Sequence, residues 1–358
     1  MQSLEVQCVP PYSVLIGNNI IHDMPRHFDL GKYSGGCIVC DAVIGQMYGD
    51  QIQGALPAGF QMIMAPGGEK AKHVDTLSFL WGEFLSRGLD RKGVVVTFGG
   101  GATLDVTGFA ASTYMRGIAF IHVPTTLLSQ VDASIGGKTG LNAHGVKNLV
   151  GVFQQPSGVC MDVSFIPSLS DREICSGVAE MIKHGMMFSR EHFDELKGIS
   201  WSGVRQELSR LSRAIYNSCQ IKARVVAVDP NEGGLRKALN FGHTVGHAIE
   251  IISHELGEPL THGEAVALGM RAETAMAVKA KLCAWEEANQ LLDLLASVGL
   301  PTTWKTAVSS SVIARRMSTD KKNIRGKVLF AVPTAVGQFA IDREFSEDAL
   351  SYGLSEIL

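Results

Sequence analysis

Over the first 165 or so residues, short apolar runs alternate with longer amphipathic ones. Cys37 to Asp41, Gln61 to Ala65, Gly93 to Phe98, Ile118 to Val123 and Val159 to Asp162 are each bounded by turn residues and are too short for helices. Helical periodicity fills several of the gaps between them. That alternation predicts an α/β domain with a Rossmann-like, largely parallel sheet. Val6 to Gly17 reads as extended, because Pro10 and Pro11 argue against helix. From about Ser170 the pattern changes to long amphipathic runs over 171–187, 202–228, 235–255, 262–281 and 284–298. Only Lys327 to Val332 and Gln338 to Ile341 remain as strand candidates there. The chain is therefore expected to divide into an α/β domain over 1–165 and a mainly α-helical domain over 166–358, with no internal repeat.

A length of 358 residues with 46% hydrophobic positions suits two cores of ordinary size. The net charge of −3 leaves no basic surplus, which argues against nucleic acid and anionic membrane surfaces as partners. Every apolar run is interrupted well before the ~18 residues of a membrane span. Met1-Gln2-Ser3-Leu4-Glu5 has neither a basic region nor an apolar one, so no secretory signal is read there. Seven cysteines, an odd number without framework spacing, suit a reducing cytoplasm. Cys37-Ile38-Val39-Cys40 matches a redox pair in letters, but it lies inside a strand-like run and not at a helix start, so buried structural thiols are expected.

Chemistry first shows where Val94 to Phe98 runs into Gly99-Gly100-Gly101 and then a helical pattern. A strand, three glycines and a helix start expose backbone amides and a helix dipole to a phosphate. Asp41 and Gly67-Gly68-Glu69-Lys70 also follow strands, at the edge where open α/β sheets bind ligands. Together they predict a nucleotide cofactor. Gly137-Lys138-Thr139 imitates the end of a Walker loop, but Asp132 stands where that loop needs a glycine, which disfavours a P-loop ATPase. Lys138, Lys147 and Asn148 still offer donors to a small anion.

In the helical half, His243 and His247 are four apart and share a helix face, and His262 opens the next helical pattern. Thr244 follows His243, so the His-Glu-x-x-His pattern of zinc proteases is excluded. Glu180, in Ala179-Glu180-Met181-Ile182-Lys183, can supply an oxygen ligand, since two imidazoles and a carboxylate leave an open position on zinc. The alternative is a surface ion pair of Glu180 with Lys183, worth a few tenths of a kcal/mol.

Three runs are more discriminating than any of these signals: GGGATLDVTGFAASTYMRG at 99–117, PTTLLSQVDASIGGKTGLN at 124–142, and LNFGHTVGHAIE at 239–250 with HGEAVALGM at 262–270. In them the chain resembles the sugar-phosphate cyclases, the family typified by 3-dehydroquinate synthase, from about Asp41 to Lys322. The resemblance implies zinc, with cobalt as a substitute, on Glu180, His243 and His262. It implies NAD against Gly99, Gly100, Gly101 and Asp105, with Asp41, Glu69, Lys72, Thr125, Thr126, Lys138 and Lys147 as further contacts. Lys138, Asn148, Asn240, His247 and Lys322 or its neighbour Lys321 would meet a substrate phosphate. Asp132, Lys183, Lys222 and Arg236 would hold hydroxyls and a carboxylate. Arg116 would reach a neighbouring subunit's site, making a homodimer.

The implied activity converts 3-deoxy-D-arabino-heptulosonate 7-phosphate to 3-dehydroquinate and phosphate, by transient oxidation, β-elimination, reduction and aldol closure, with no net redox. Iron-dependent and glycerol dehydrogenases share the implied architecture, but they do not need the cationic set Lys138, Lys147, Lys222 and Arg236. A silent phosphosugar-binding protein would not need every ligand intact. Sister cyclases whose substrate lacks a carboxylate typically change the positions of Arg236 and Asn240, and both persist here. An aminodehydroquinate synthase would keep the same set. The chain departs from the family pattern at His144-Gly145-Val146, where Pro-Leu-Gly usually precedes the Lys-Asn pair.

Overall fold

The computed structural model describes residues 1–318 and 327–358, so Lys321 and Lys322 lie outside the described residues. The chain divides into two compact units, Met1–Leu169 with Glu207–Ala227, and Ser170–Gln206 with Val228–Leu358.

The first unit is built on a seven-stranded sheet. Its strands are β1 (Gln2–Val6), β2 (Tyr12–Gly17), β3 (Gly36–Asp41), β4 (Gln61–Ala65), β5 (Val94–Gly99), β6 (Ala119–Pro124) and, after a separate hairpin, β9 (Gly158–Asp162). They lie in the order β1-β2-β9-β6-β5-β3-β4, all parallel except the β1–β2 pair. All six residues of β5 are buried, as expected of an inner parallel strand covered on both faces. Successive side chains point to opposite faces, so Ile38, Val94 and Val96 join one apolar cluster while Val39, Val95 and Phe120 join the other. The stretch read as extended over Val6 to Gly17 is a turn and a strand, with the prolines between β1 and β2. Helices α1 (Met24–His27), α2 (Ala42–Ala55), α3 (Val74–Ser86) and α4 (Gly101–Thr113) complete this part of the unit.

Gly137-Lys138-Thr139 leads into the hairpin β7 (Lys138–Ala143) and β8 (Val146–Phe153), which also carries Lys147 and Asn148. Its two linking residues, His144 and Gly145, have φ of +51° and +74°. A two-residue hairpin turn with both φ positive matches the twist of its strands, and Gly145 adopts it without strain.

The second unit is mainly helical. Its first helices are α5 (Asp171–Phe188) and α6 (Arg190–Lys197). Helix α7 (Leu208–Val228), expected with this half, belongs instead to the first unit, where Cys219 Sγ lies 3.7 Å from Met161 Sδ. Its amphipathic pattern identified a face to bury but not the partner. The unit continues with α8 (His243–Glu255), α9 (His262–Lys279), α10 (Trp285–Val298), α11 (Ser310–Ser318), the antiparallel pair β10 (Phe330–Ala335) and β11 (Gln338–Arg343), and α12 (Glu347–Ser355). The run read as helical from 235 is interrupted: Leu235–Asn240 forms a tight 3₁₀ segment, and Gly242 at φ +77° turns the chain before α8. Among the described residues, no helix is long and apolar enough to cross a membrane.

Candidate active site

The metal-ligand candidates are delivered by three helices of the second unit. Helices α5 and α9 both start on reciprocal caps, Ser170 with Glu173 and Thr261 with Glu264, which satisfy amides that would otherwise lack partners. Arg172 grips Glu264 with both prongs, Nε to Oε1 at 2.8 Å and Nη2 to Oε2 at 2.5 Å, and so fastens the two helix starts together. Packing is close enough to require glycine. A Cβ on Gly263 would stand 2.3 Å from Ser176 Cα, and one on Gly269 would stand 1.9 Å from the Gly242 carbonyl oxygen. Fully buried Glu273 on α9 accepts from the amides of Gly242 at 2.6 Å and Val245 at 3.0 Å, anchoring the start of α8.

As a result, one ligand atom each from Glu180, His243 and His262 falls within a sphere where all lie within 4.8 Å of one another. Glu180 Oε1 is 3.6 Å from His243 Nε2 and 3.4 Å from His262 Nε2. The second nitrogen of each ring is held: His243 Nδ1 donates to the Phe241 carbonyl at 3.0 Å, and His262 Nδ1 lies 3.3 Å from Glu250 Oε2. Such partners fix ring orientation and turn both Nε2 atoms toward Glu180. Lys183, one turn along α5, pairs with Glu180, and both side chains are buried. A surface ion pair is thus ruled out.

The two imidazoles differ electrostatically. Burial and the nearby Lys183 ammonium hold His243 well below the usual histidine range. Burial also opposes charge on His262, but its hydrogen bonds and charge contacts with Glu180 and Glu250 outweigh this and raise its pKa to about 10. The carboxylates of Glu180 and Glu250 that draw positive charge onto His262 are the negative groups of this cluster. His247 completes the cluster, with its ring 5.2 Å from that of His243 and 6.1 Å from that of His262.

Arg236 is buried and donates from Nη1 to the Pro230 carbonyl at 2.6 Å, while Asn240 donates from Nδ2 to Glu232 at 2.6 Å. Asp229 organises this loop, accepting from the amides of Gly233, Gly234 and Arg236 at 2.7 to 2.9 Å. Burial works against the Asp229 carboxylate, but those amides win and lower its pKa.

In the first unit, α4 begins directly beyond β5, and its N-cap, Gly100, has no side chain to bond the first amides. Asp41 caps α2, accepting from the Val43 amide at 2.9 Å and from Thr103 Oγ1 at 3.3 Å. Thr126 is engaged with Ser129 through a 2.8 Å hydroxyl bond, and the hydroxyl of buried Thr125 has no hydrogen-bond partner among the described residues. Buried Lys72 donates to Asp105 at 2.6 Å and also reaches Asn148. Burial raises the Asp105 carboxyl above its usual range, and Lys72 offsets this only in part. Lys222 on α7 contacts the carboxylate and the carbonyl of Asp132. Lys138 and Arg116 are exposed, the latter at φ +69°. Cys37 and Cys40 are buried, and burial pushes both thiols up to about 12, away from the reactive thiolate form.

The model of the 3-dehydroquinate synthase N-terminal family matches residues 62–176, and that of the 3-dehydroquinate synthase C-terminal family matches residues 177–323. The chain belongs to the 3-dehydroquinate synthase family. The 3-dehydroquinate synthase of Pelotomaculum thermopropionicum is 36% identical over 361 residues, covering 96% of this chain and 95% of its own length. That of Rippkaea orientalis is 39% identical over 347 residues, covering 95% and 94%. Among solved structures, 2-epi-5-epi-valiolone synthase from Streptomyces hygroscopicus, with NAD+ and Zn2+ bound, superposes with a TM-score of 0.86 at 26% identity, covering 97% of this chain and 96% of its own.

Within that family assignment, the sequence motifs did not reveal the supporting residues. Ser176, Asp229 and Glu273 lie outside those motifs, and Glu250 closes the run at 239–250 without the letters naming its partner. Of the three outside, Glu273 left a trace, as a carboxylate within the apolar run of α9 that had to be bonded to something once buried.

Proposed function

We propose that the chain is a 3-dehydroquinate synthase, a lyase that expels phosphate from 3-deoxy-D-arabino-heptulosonate 7-phosphate and closes the carbon ring to give 3-dehydroquinate. The observation that carries this is the convergence of Glu180, His243 and His262 in a chain of this family. The donor set, one carboxylate and two oriented imidazoles, suits zinc or cobalt and leaves positions for substrate oxygens. The glycine turn from β5 into α4, whose N-cap Gly100 has no side chain to bond the first amides, suits the pyrophosphate of NAD. When bound, NAD lends and recovers a hydride and the metal supplies Lewis acidity at substrate oxygens.

The chain's own residues bind and orient. Glu250 and the Phe241 carbonyl hold the ligand rings in place. Lys183 neutralises the carboxylate of Glu180 in a buried setting, where an unpaired charge would be costly. Arg236, preset by the Asp229 loop, offers a guanidinium to the substrate carboxylate. Asn240 and His247, with Lys138, Asn148 and Lys322, meet the departing phosphate. Asp132 and Lys222 address hydroxyls. Asp41, Glu69, Lys72, Asp105, Thr125, Thr126, Lys138 and Lys147 position NAD.

The working form is a homodimer in the cytoplasm, with Arg116 serving the neighbouring subunit. Two features support this. Strand β8 pairs only with β7 among the described residues and exposes Leu149, Val150, Val152 and Phe153, a surface that a second copy would cover. All seven cysteines are free, as in a reducing compartment.

The test is to incubate the purified protein with NAD, Zn2+ and the heptulosonate phosphate. Equimolar phosphate and dehydroquinate without net NADH is the expected result. Steady NADH accumulation on a simple alcohol would assign it to net dehydrogenation instead.

A further inference from the structure

The hairpin of β7 and β8 is regular from Lys138 opposite Phe153 to Leu141 opposite Val150, then resumes with Ala143 opposite Val146. Asn142 therefore faces the stretch Lys147, Asn148 and Leu149, where a regular ladder would place a single residue. At this bulge Asn148 adopts φ +52°, a conformation that asparagine tolerates better than most residues. Its amide, displaced from the ladder, donates to Asn142 Oδ1 at 2.9 Å.

Asn142 makes two further bonds. Its Nδ2 donates to Glu69 Oε1 at 2.7 Å, and its backbone amide donates to the Lys72 carbonyl at 2.9 Å. Lys72 in turn donates to Asp105 and to the side-chain oxygen of Asn148. The four residues Asn142, Asn148, Lys72 and Glu69 thus form one connected network, in which Asn142 bonds the hairpin and the 69–72 segment at once. Aspartate would keep the acceptor, lose the donor and set a second carboxylate against Glu69. Alanine would supply neither.

We infer that Asn142 is a positioning residue that fixes Lys72, Glu69 and Asn148 in the arrangement used for cofactor and phosphate, while touching neither itself. This rests on the proposed reading that Glu69 and Lys72 serve NAD and Asn148 serves the phosphate. Losing Asn142 leaves the chemistry intact but loosens the groups that bind.

The experiment uses the full-length, zinc-loaded protein as wild type, Asn142→Ala, Asn142→Asp, Glu69→Gln and the Asn142→Asp/Glu69→Gln pair. NAD dissociation constants are measured by calorimetry, alongside KM, kcat and zinc content. Asn142→Ala should weaken NAD binding about 10-fold, the loss of roughly one net hydrogen bond, with zinc content unchanged. KM should rise while kcat at saturation holds, the signature of lost binding that is uniform along the reaction. Asn142→Asp should cost about 10-fold beside the native Glu69. In the Glu69→Gln background it should cost much less, because the amide introduced there donates to the new carboxylate. Wild-type affinity in Asn142→Ala, or an equal cost of Asn142→Asp in both backgrounds, would overturn the inference. If Asn142→Ala does not fold, the comparison of backgrounds decides. Failure of the wild type itself to bind NAD or release phosphate would remove the functional reading instead, a separate and recognisable result.

Discussion

The two units build their candidate sites from different materials. In the first, the end of β5 offers backbone: three consecutive glycines and the start of α4. In the second, Glu180, His243 and His262 are side chains from three helices, held by Lys183, Glu250 and Glu273. A backbone site is contiguous in sequence and tolerates change in distant residues. A side-chain site depends on each group and on the packing that delivers it, so its failures should be steeper.

That contrast can be broken most directly at the metal cluster. Glu180→Gln removes the only carboxylate of the triad and leaves Lys183 without its ion pair. Zinc affinity should fall more than about 100-fold, beyond the loss typical of a supporting residue, and turnover should fall with it. Zinc retention measured by metal analysis after dialysis checks this, and a variant that keeps its metal would contradict the assigned ligand. Next in size, Arg236→Ala should lower kcat/KM about 10- to 100-fold through loss of a charge-assisted bond. Zinc and NAD affinities should be unaffected, and unchanged kinetics would remove Arg236 from the carboxylate role.

The smallest effect is expected at the backbone site. A Cβ on Gly99 would lie 2.7 Å from Thr103 Cβ, so Gly99→Ala forces a small shift at the start of α4. It should cost about 1–3 kcal/mol of stability by overpacking, read as a lower Tm, and should weaken NAD while leaving zinc in place. If Gly99→Ala instead disturbed zinc as strongly as Glu180→Gln, the two sites would not be the separate constructions their materials suggest.

Where pattern and structure part, the causes lie in the fold. The hairpin over 138–153 is absent from the strands that the pattern predicts, because a bulge and positive φ at His144 and Asn148 break the alternation that marks a strand. The helical run from 235 is broken at Gly242, at φ +77°, where an added Cβ would stand 2.5 Å from Met270 Cγ and 2.8 Å from the Val266 carbonyl oxygen. Helix α7 has a legible apolar face, yet amphipathicity names no partner, and the helix joins the α/β unit.

By itself, the sequence determined what is local or periodic. The buried parallel strands, the glycine turn beyond β5 and the histidines four apart all follow from neighbouring residues and from the two side-chain periodicities of strand and helix. Tertiary structure decided what depends on distance. Only packing brings Glu180 to His243, 63 positions away by number, and to His262. Only packing makes the Glu180–Lys183 pair a buried one, selects the ring nitrogen each histidine presents, and lets Asn142 join two segments of the first unit. A helix pattern gives the face a residue occupies. The chemistry of that face is set by what the fold presses against it.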